Sequence, residues 1–390
     1  MRRFVTTTFG LFSAVAGILL IRKDESESLR PVQIVVNELS WVAVVAGVLA
    51  VVWSLLGKPR LWVGLLTGAV GATLAARPFL EYQGTLEDAA SAMKVGLGRD
   101  YEVRIPADVQ NRLLPAPLTL PNMLGKHLRD SRARLWRDLT YAQPQGIPLK
   151  LDVYEPMTKP VRGDSFPAII VIHGGGWQNG DKQEYFETNN RYLANLGFVV
   201  FDIQYRLSTS TKWPAQLEDT QAAIQWVRDC ASEYHVNPKQ IALLGRSAGG
   251  HMALMAAMKA DAATQVQAVI AFYSPLDMKF PNLTSASSIY NLIGGRFEDM
   301  PEAYIDATPL DGVRDDLPPL LIIDAKMDTI VPNRYHADKF GKRLAATNTP
   351  YVQIRVPWAR HGFDAVTFGL GAQLVQYHMD RFLAYTFFTE

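Results

Sequence analysis

The apolar run Ile241-Ala242-Leu243-Leu244 leads straight into Gly245-Arg246-Ser247-Ala248-Gly249, and a small-residue helical pattern begins at His251-Met252-Ala253-Leu254. Strand, tight turn and helix, with a serine at the apex of a G-x-S-x-G, severely constrain the fold. The turn forces the serine into a strained backbone conformation and lifts its hydroxyl off the end of the strand. Side chains at the flanking glycines would collide with the strand and the helix. The five-residue pattern alone is common; the strand–turn–helix setting gives it weight.

Two other regions fit the same chemistry. Upstream, Ala168-Ile169-Ile170-Val171-Ile172 is β-branched and bounded by Pro167, which reads as a buried strand. It runs into His173-Gly174-Gly175-Gly176-Trp177, where consecutive glycines let backbone N–H groups turn toward one point. Gly175 and Gly176, with the N–H of Ala248, are the candidate oxyanion donors. A plain glycine-rich turn is the bland alternative, and the serine elbow downstream weighs against it. A serine nucleophile also needs a base, and the base needs an orienting carboxylate. Leu320-Leu321-Ile322-Ile323-Asp324 reads as another buried strand with Asp328 in the loop beyond it, and the strand Tyr351–Val356 precedes His361-Gly362-Phe363. Ser247, Asp328 and His361 therefore each follow a strand and can converge at the carboxyl ends of a parallel sheet. Asp324 is the rival carboxylate.

In this order, with Val236–Gly250 around the elbow, Tyr205-Arg206-Leu207 after a strand, and Trp213–Asp219 leading into a helix at Ala222–Cys230, residues from about 135 to 390 resemble an α/β-hydrolase of the HGGG-type esterase/lipase group, similar to carboxylesterases and hormone-sensitive-lipase-like enzymes. The resemblance implies a mostly parallel central sheet flanked by helices, an acyl-enzyme on Ser247, short- to medium-chain carboxylic esters as substrates, and no cofactor or metal. The chain departs from the group where it reads Ala325-Lys326-Met327-Asp328 rather than Gly-x-x-Asp, and where Asp324 stands in a position often held by histidine.

Composition narrows the alternatives. Lys plus Arg number 39 and Asp plus Glu 38, so no field of one sign recruits nucleic acid. The single cysteine, Cys230, excludes an intramolecular disulfide and reads as a helix residue. The seven histidines have no metal-ligand spacing; His251 and His336 read as structural or surface residues, and His235 and His378 carry no motif.

The first third has a different character. Phe4–Ile21, about Leu39–Gly57 and Leu61–Ala76 are charge-free and apolar. A membrane-spanning helix needs about 20 such residues, which the first two approach; the third is short unless Phe79 and Leu80 are counted. Gly64 and Gly68 form a G-x-x-x-G that lets helices approach closely in lipid. Residues 1–80 are thus expected to be a transmembrane anchor of about three helices in a multi-pass cell-membrane protein, with two spans or a re-entrant third as the fallback. A cleaved signal peptide is the competing reading of residues 4–21, but no small-x-small site follows. Arg2, Arg3, Lys58 and Arg60 on one side balance Arg22, Lys23, Arg30, Arg77 and Lys94 on the other, leaving the side of the catalytic domain open.

Residues 81–134 are weakly periodic and prolyl-rich, and are expected to be a linker, cap or interfacial helix. Leu86–Val95 fits an amphipathic helix, and Leu124–Leu135 fits a basic helix on anionic headgroups or a solvated face. Leu139–Tyr141 and Leu149–Tyr154 read as an antiparallel hairpin turning at Gln145-Gly146. A stretch from Pro275 to Leu317, with Met278, Phe280, Leu283, Tyr290, Leu292, Ile293 and Phe297, is a second candidate lid. The expected activity is a membrane-anchored serine ester hydrolase whose partners are an ester substrate and membrane lipids. An acyltransferase or peptidase would use the same triad, and a non-catalytic binding protein on a hydrolase scaffold is the reading from another class.

Overall fold

A computed structural model of the chain describes residues 2–22, 28–56, 61–183, 185–279 and 286–389. Lys23, Lys58 and Arg60 of the charge balance, and Phe280 and Leu283 of the candidate lid, lie outside the described residues.

The strands are β1 (Ala133–Ala142), β2 (Leu149–Pro156), β3 (Phe166–Ile172), β4 (Val199–Ile203), β5 (Val236–Arg246), β6 (Ala268–Phe272), β7 (Leu320–Ala325) and β8 (Tyr351–Val356). They form one sheet in the order β1-β2-β4-β3-β5-β6-β7-β8. Its pairings are parallel from β4 through β8, and β1 and β2 add antiparallel at one edge. β3 is buried along its whole length, as a central strand covered on both faces must be, and its residues alternate between the two cores.

The longer helices, in chain order, are α1 (Arg2–Ile21), α2 (Arg30–Glu38), α3 (Ser40–Leu55), α4 (Trp62–Ala75), α5 (Arg77–Leu97), α6 (Glu187–Leu196), α7 (Ala215–Asp229), α8 (Ala248–Met258), α9 (Ala286–Ile293), α10 (Ala337–Leu344) and α11 (Leu370–Phe388). Helices α7, α8 and α10 cover one face of the sheet; α5, α6 and α11 cover the other.

The linker expected over 81–134 is corrected by this packing. Ala89, Met93 and Leu97, four residues apart on α5, are buried in the second core, and Tyr101, Ile105, Val109, Leu114 and Leu128 join them. α5 lies so close to β8 that a Cβ on Gly96 would come within 2.1 Å of the Tyr351 carbonyl oxygen. The segment is a layer of the sheet domain, because a sheet of this kind needs apolar cover on both faces. The basic helix expected over Leu124–Leu135 is also absent: Lys126–Asp130 makes a single short turn, Leu128 is buried, and the chain enters β1 at Ala133.

The three N-terminal apolar segments form α1, α3 and α4, which pack on one another through small residues. Thr6, Gly10, Ser13, Ala16 and Gly17 of α1, Ala43, Ala46, Gly47 and Ala50 of α3, and Gly64, Gly68, Gly71 and Ala75 of α4 are buried. A Cβ on Gly64 would meet Thr6 at 2.5 Å, and one on Gly68 would meet the Gly47 carbonyl oxygen at 2.7 Å. Large apolar side chains such as Phe4, Val15, Val48, Trp62, Val63 and Leu66 point outward. The third segment is not short, because helix continues from Trp62 to Leu97 over 36 residues. Among the described residues, two helices, Arg2–Ile21 and Trp62–Leu97, are long and apolar enough to cross a membrane; the pair α2–α3, bent by 72°, counts as a third if taken as one broken span.

Between the first two apolar segments lies α2, whose position is set at both ends. Gln33 donates to the Leu19 and Arg22 carbonyls at 3.5 and 3.3 Å. At the other end the Glu38 Oε2 accepts the backbone N–H groups of Gly371 and Ala372 at 2.7 and 3.1 Å. These are orphan donors of the first turn of α11, so Glu38 caps that helix from a distant part of the chain. The approach also relies on Gly369, where a Cβ would meet the Glu38 Cβ at 2.5 Å. Glu38→Ala is expected to lower stability by about 1–3 kcal/mol, since it strands two buried N–H groups. Thermal unfolding of the detergent-solubilised protein measures this, and an unchanged melting temperature would show that the cap contributes nothing.

Candidate active site

At the end of β5 the chain turns into α8 through Ser247, whose φ of 54° and ψ of −118° lie outside the usual regions for a residue with a side chain. The neighbouring glycines make this possible. A Cβ on Gly245 would sit 2.1 Å from the Gly249 carbonyl oxygen, and one on Gly249 would sit 2.0 Å from the Ile172 carbonyl oxygen at the end of β3. The elbow is therefore wedged between its own helix and the neighbouring strand, and the Ser247 hydroxyl is held at the carboxyl edge of the sheet.

The loops after β7 and β8 converge on it. His361 Nε2 lies 2.8 Å from Ser247 Oγ, and His361 Nδ1 lies 2.7 Å from Asp328 Oδ2. The other Asp328 oxygen accepts the N–H groups of Ile330 and Val331, both at 2.8 Å, so one oxygen shapes the loop and the other faces the imidazole. The Met327 N–H bonds to the Ala359 carbonyl at 2.9 Å and ties the two loops together. Asp324 is turned elsewhere: its Oδ2 accepts from Gln353 Nε2 at 2.6 Å and faces Arg355 at 3.3 Å. Burial raises the Asp324 carboxyl to about 6, but it does not reach the histidine.

His173 to Gly176 border the same cavity, with Gly175 and Gly176 both in the left-handed region that favours glycine, at φ 112° and 59°. A Cβ on Gly175 would come within 2.0 Å of the Asn179 carbonyl oxygen. Gly175, Gly176 and Ala248 all line the cavity beside Ser247. The His173 ring stacks on Tyr205, with centroids 4.3 Å apart. Tyr205-Arg206-Leu207 and Trp213–Asp219 meet through the Arg206 Nε, which lies 2.9 Å from both Asp219 oxygens, so these segments brace the site rather than enter it.

The cavity measures about 770 Å³. Of the two candidate lids, the 275–317 segment contributes Pro275 and Ser288, while no residue of 81–134 lines it. A third wall was not foreseen: Arg30, Pro31, Ile34 and Val35 of α2 also line the cavity. Nothing in a short run between two apolar segments signals that it will fold back over a site hundreds of residues away.

Sequence reasoning also missed a buried network beneath the triad. Arg246 Nε lies 2.6 Å from Asp364 Oδ2, and the Tyr273 hydroxyl donates to Asp364 Oδ1 at 2.5 Å. Burial holds the Tyr273 hydroxyl protonated well above the usual tyrosine range. The Tyr273 ring packs against His361, centroids 4.6 Å apart. The residue before the serine and the third residue after the histidine are thus joined under the site. Their positions flanking Ser247 and His361 are the one signal that could have found them.

The remaining histidines stand apart. His251, on α8, is buried with Nε2 2.7 Å from the Ala307 carbonyl oxygen, and burial lowers it to about 4. His336 is buried too and accepts the N–H groups of Leu276 and Asp277; burial lowers it also to about 4. Both are structural rather than surface groups. His378 is buried on α11 and His235 is exposed. Cys230 ends α7, half-buried. Among the described residues no group of three His, Cys, Asp or Glu side chains is arranged to hold a metal ion.

A mostly parallel sheet with a strained serine at the end of a central strand, and a histidine and a carboxylate delivered from later strands, makes this an α/β-hydrolase-fold serine hydrolase of the esterase class. Known proteins bear the same relation. A family model described as BD-FAE matches residues 151–344. The chain is 27% identical over 323 residues to "Probable carboxylic ester hydrolase LipM" of Mycobacterium tuberculosis, an alignment that covers 77% of this chain and 72% of the relative. It is 30% identical over 271 residues to Esterase LipQ of the same organism, covering 63% of this chain and 61% of that one. The LipM match takes in more of the chain than 135–390 contains, so that similarity extends toward the N-terminus. Among solved structures, Thermogutta terrifontis esterase 2 phosphonylated by sarin is 25% identical with a TM-score of 0.52, covering 64% of this chain and 89% of that one. A truncated carbohydrate esterase from gut microbiota, 24% identical with a TM-score of 0.53 over 65% of this chain and 98% of that one, shares the fold.

Proposed function

We propose that the chain is a membrane-anchored serine carboxylic-ester hydrolase of the HGGG type, with Ser247, His361 and Asp328 as its triad. The observation that carries this reading is the unbroken line from Ser247 Oγ through the imidazole to Asp328, at 2.8 and 2.7 Å. Ser247 Oγ attacks the ester carbonyl while His361 Nε2 takes its proton. Asp328 holds the Nδ1–H tautomer and stabilises the imidazolium. The tetrahedral oxyanion is received by the N–H groups of Gly175, Gly176 and Ala248. Its collapse expels the alcohol, protonated by His361, and leaves an acyl group on Ser247. A water deprotonated by the same imidazole then releases the acid. The cavity has room for short- to medium-chain or apolar acyl groups. Labelling of Ser247 by a fluorophosphonate probe tests the reading without knowledge of the substrate; an unlabelled, folded protein would overturn it.

The anchor rests on an inverted pattern. In water a helical bundle buries its large apolar side chains and exposes small and polar ones. Here the buried residues of α1, α3 and α4 are Gly, Ala, Ser and Thr with Leu20 the one large exception, while Phe4, Val15, Val48, Trp62 and Leu66 are outside. That arrangement suits lipid, where close backbone approach rather than apolar burial holds helices together. The full-length protein is expected to stay with membranes through high-salt and carbonate washing and to leave only in detergent. Recovery in the soluble fraction, shortened at the N-terminus, would indicate a cleaved signal instead.

A further inference from the structure

Among the described residues, the catalytic cavity carries one charge with no acidic side chain beside it. Arg30 stands at the first position of α2 and lines the cavity with Pro31, Ile34 and Val35. Its Nη2 is buried and has no hydrogen-bond partner among the described residues. Among the described residues, no Asp or Glu lines the cavity. The other guanidinium there, Arg246, is neutralised by Asp364 at 2.6 Å and covered by the Phe186 ring at 3.6 Å. Glu38, on the same helix, lies about 12 Å away along its axis and is engaged by the first turn of α11.

A guanidinium stays charged at any ordinary pH. A buried donor without an acceptor is costly, and natural structures rarely leave one without a reason. The fork of N–H groups matches a carboxylate or phosphate with two parallel hydrogen bonds. Resting on the reading of Ser247 as nucleophile, we propose that Arg30 recognises a negative group on the substrate, so that the natural ester carries a phosphate or carboxylate a few bonds from the scissile carbonyl. α2 joins α1 to α3, so Arg30 stands at the ends of the apolar helices, the level at which charged lipid headgroups lie. The same anion chemistry could come from such a lipid or from a soluble acidic ester.

Matched pairs of esters test this on the full-length protein in neutral detergent. One pair is a medium-chain 1-acylglycerol and its 3-phosphate; the other is 4-nitrophenyl butyrate and the 4-nitrophenyl monoester of glutaric acid. The readout is the anionic-to-neutral ratio of kcat/KM. The wild type is expected to favour the anionic member, and Arg30→Gln to lower that ratio by about tenfold to a hundredfold, chiefly through KM. Arg30→Lys, which keeps the charge but not the fork, should recover part of it. Preference confined to the glycerol pair identifies a lipid source, and preference confined to the 4-nitrophenyl pair a soluble one; either supports the assignment. An equal loss on both members in Arg30→Gln would mean that Arg30 only holds α2, and overturns it. So does turnover of neutral esters with no anionic preference in the wild type, while leaving the hydrolase reading intact. Absence of both ester turnover and fluorophosphonate labelling would overturn the hydrolase reading and this one with it.

Discussion

Ser247→Ala is expected to lower ester turnover by about 10⁶ in kcat, the scale on which loss of the nucleophile acts in serine hydrolases, and to remove fluorophosphonate labelling. The fold should survive. The strained backbone at residue 247 is imposed by the wedge of Gly245 and Gly249 between helix and strand, and alanine meets it with the same Cβ that serine has. The Ser247 hydroxyl is bonded to His361, so its removal leaves the imidazole facing a cavity already open to solvent and substrate. Kinetics on a chromogenic ester and a thermal melt of the same preparation separate the two effects. Turnover near wild type would mean that the hydrolysis belongs to another group.

Asp328→Asn is expected to lower kcat by about 10⁴, and Asp324→Asn to change it far less. An asparagine at 328 keeps an oxygen for the Ile330 and Val331 N–H groups, so the loop should hold. Its amide N–H can then face the imidazole Nδ1, which selects the tautomer with the proton on Nε2, where Ser247 needs an acceptor. The loss is therefore one of proton placement rather than of folding. Asp324 touches Gln353 and Arg355 and has no path to the imidazole, so its replacement acts on the packing of β7 against β8. Steady-state kinetics on both variants decide between them, and the reverse ranking would make Asp324 the orienting carboxylate.

The chemistry at the end of the sheet was legible because it is written in local backbone demands. Gly245 and Gly249 are legible as a wedge, Gly175 and Gly176 as left-handed turns, and each of Ser247, Asp328 and His361 as the loop after an apolar strand. The β1–β2 hairpin was legible for the same reason, with Gln145 and Gly146 both at positive φ in its turn. Ranking Asp328 over Asp324 was less secure in the sequence, where the two differ only by four positions; the tertiary fold turns one toward His361 and the other toward Arg355.

What the chain alone could not disclose are the contacts between segments whose patterns say nothing about each other. Glu38 reaches Gly371 across 333 positions, and Arg246 reaches Asp364 across 118. α5 reads as a weak amphipathic segment until β8 is there to receive Ala89, Met93 and Leu97. α2 reads only as part of the connection between two apolar segments until α1 and α11 hold it beside the cavity. Periodicity, glycine placement and motif order constrain each element and the chemistry it can carry. Which faces meet, and so which side chains come to line the cavity beside Ser247, depends on how the apolar surfaces pack in three dimensions, and only the folded chain decides that.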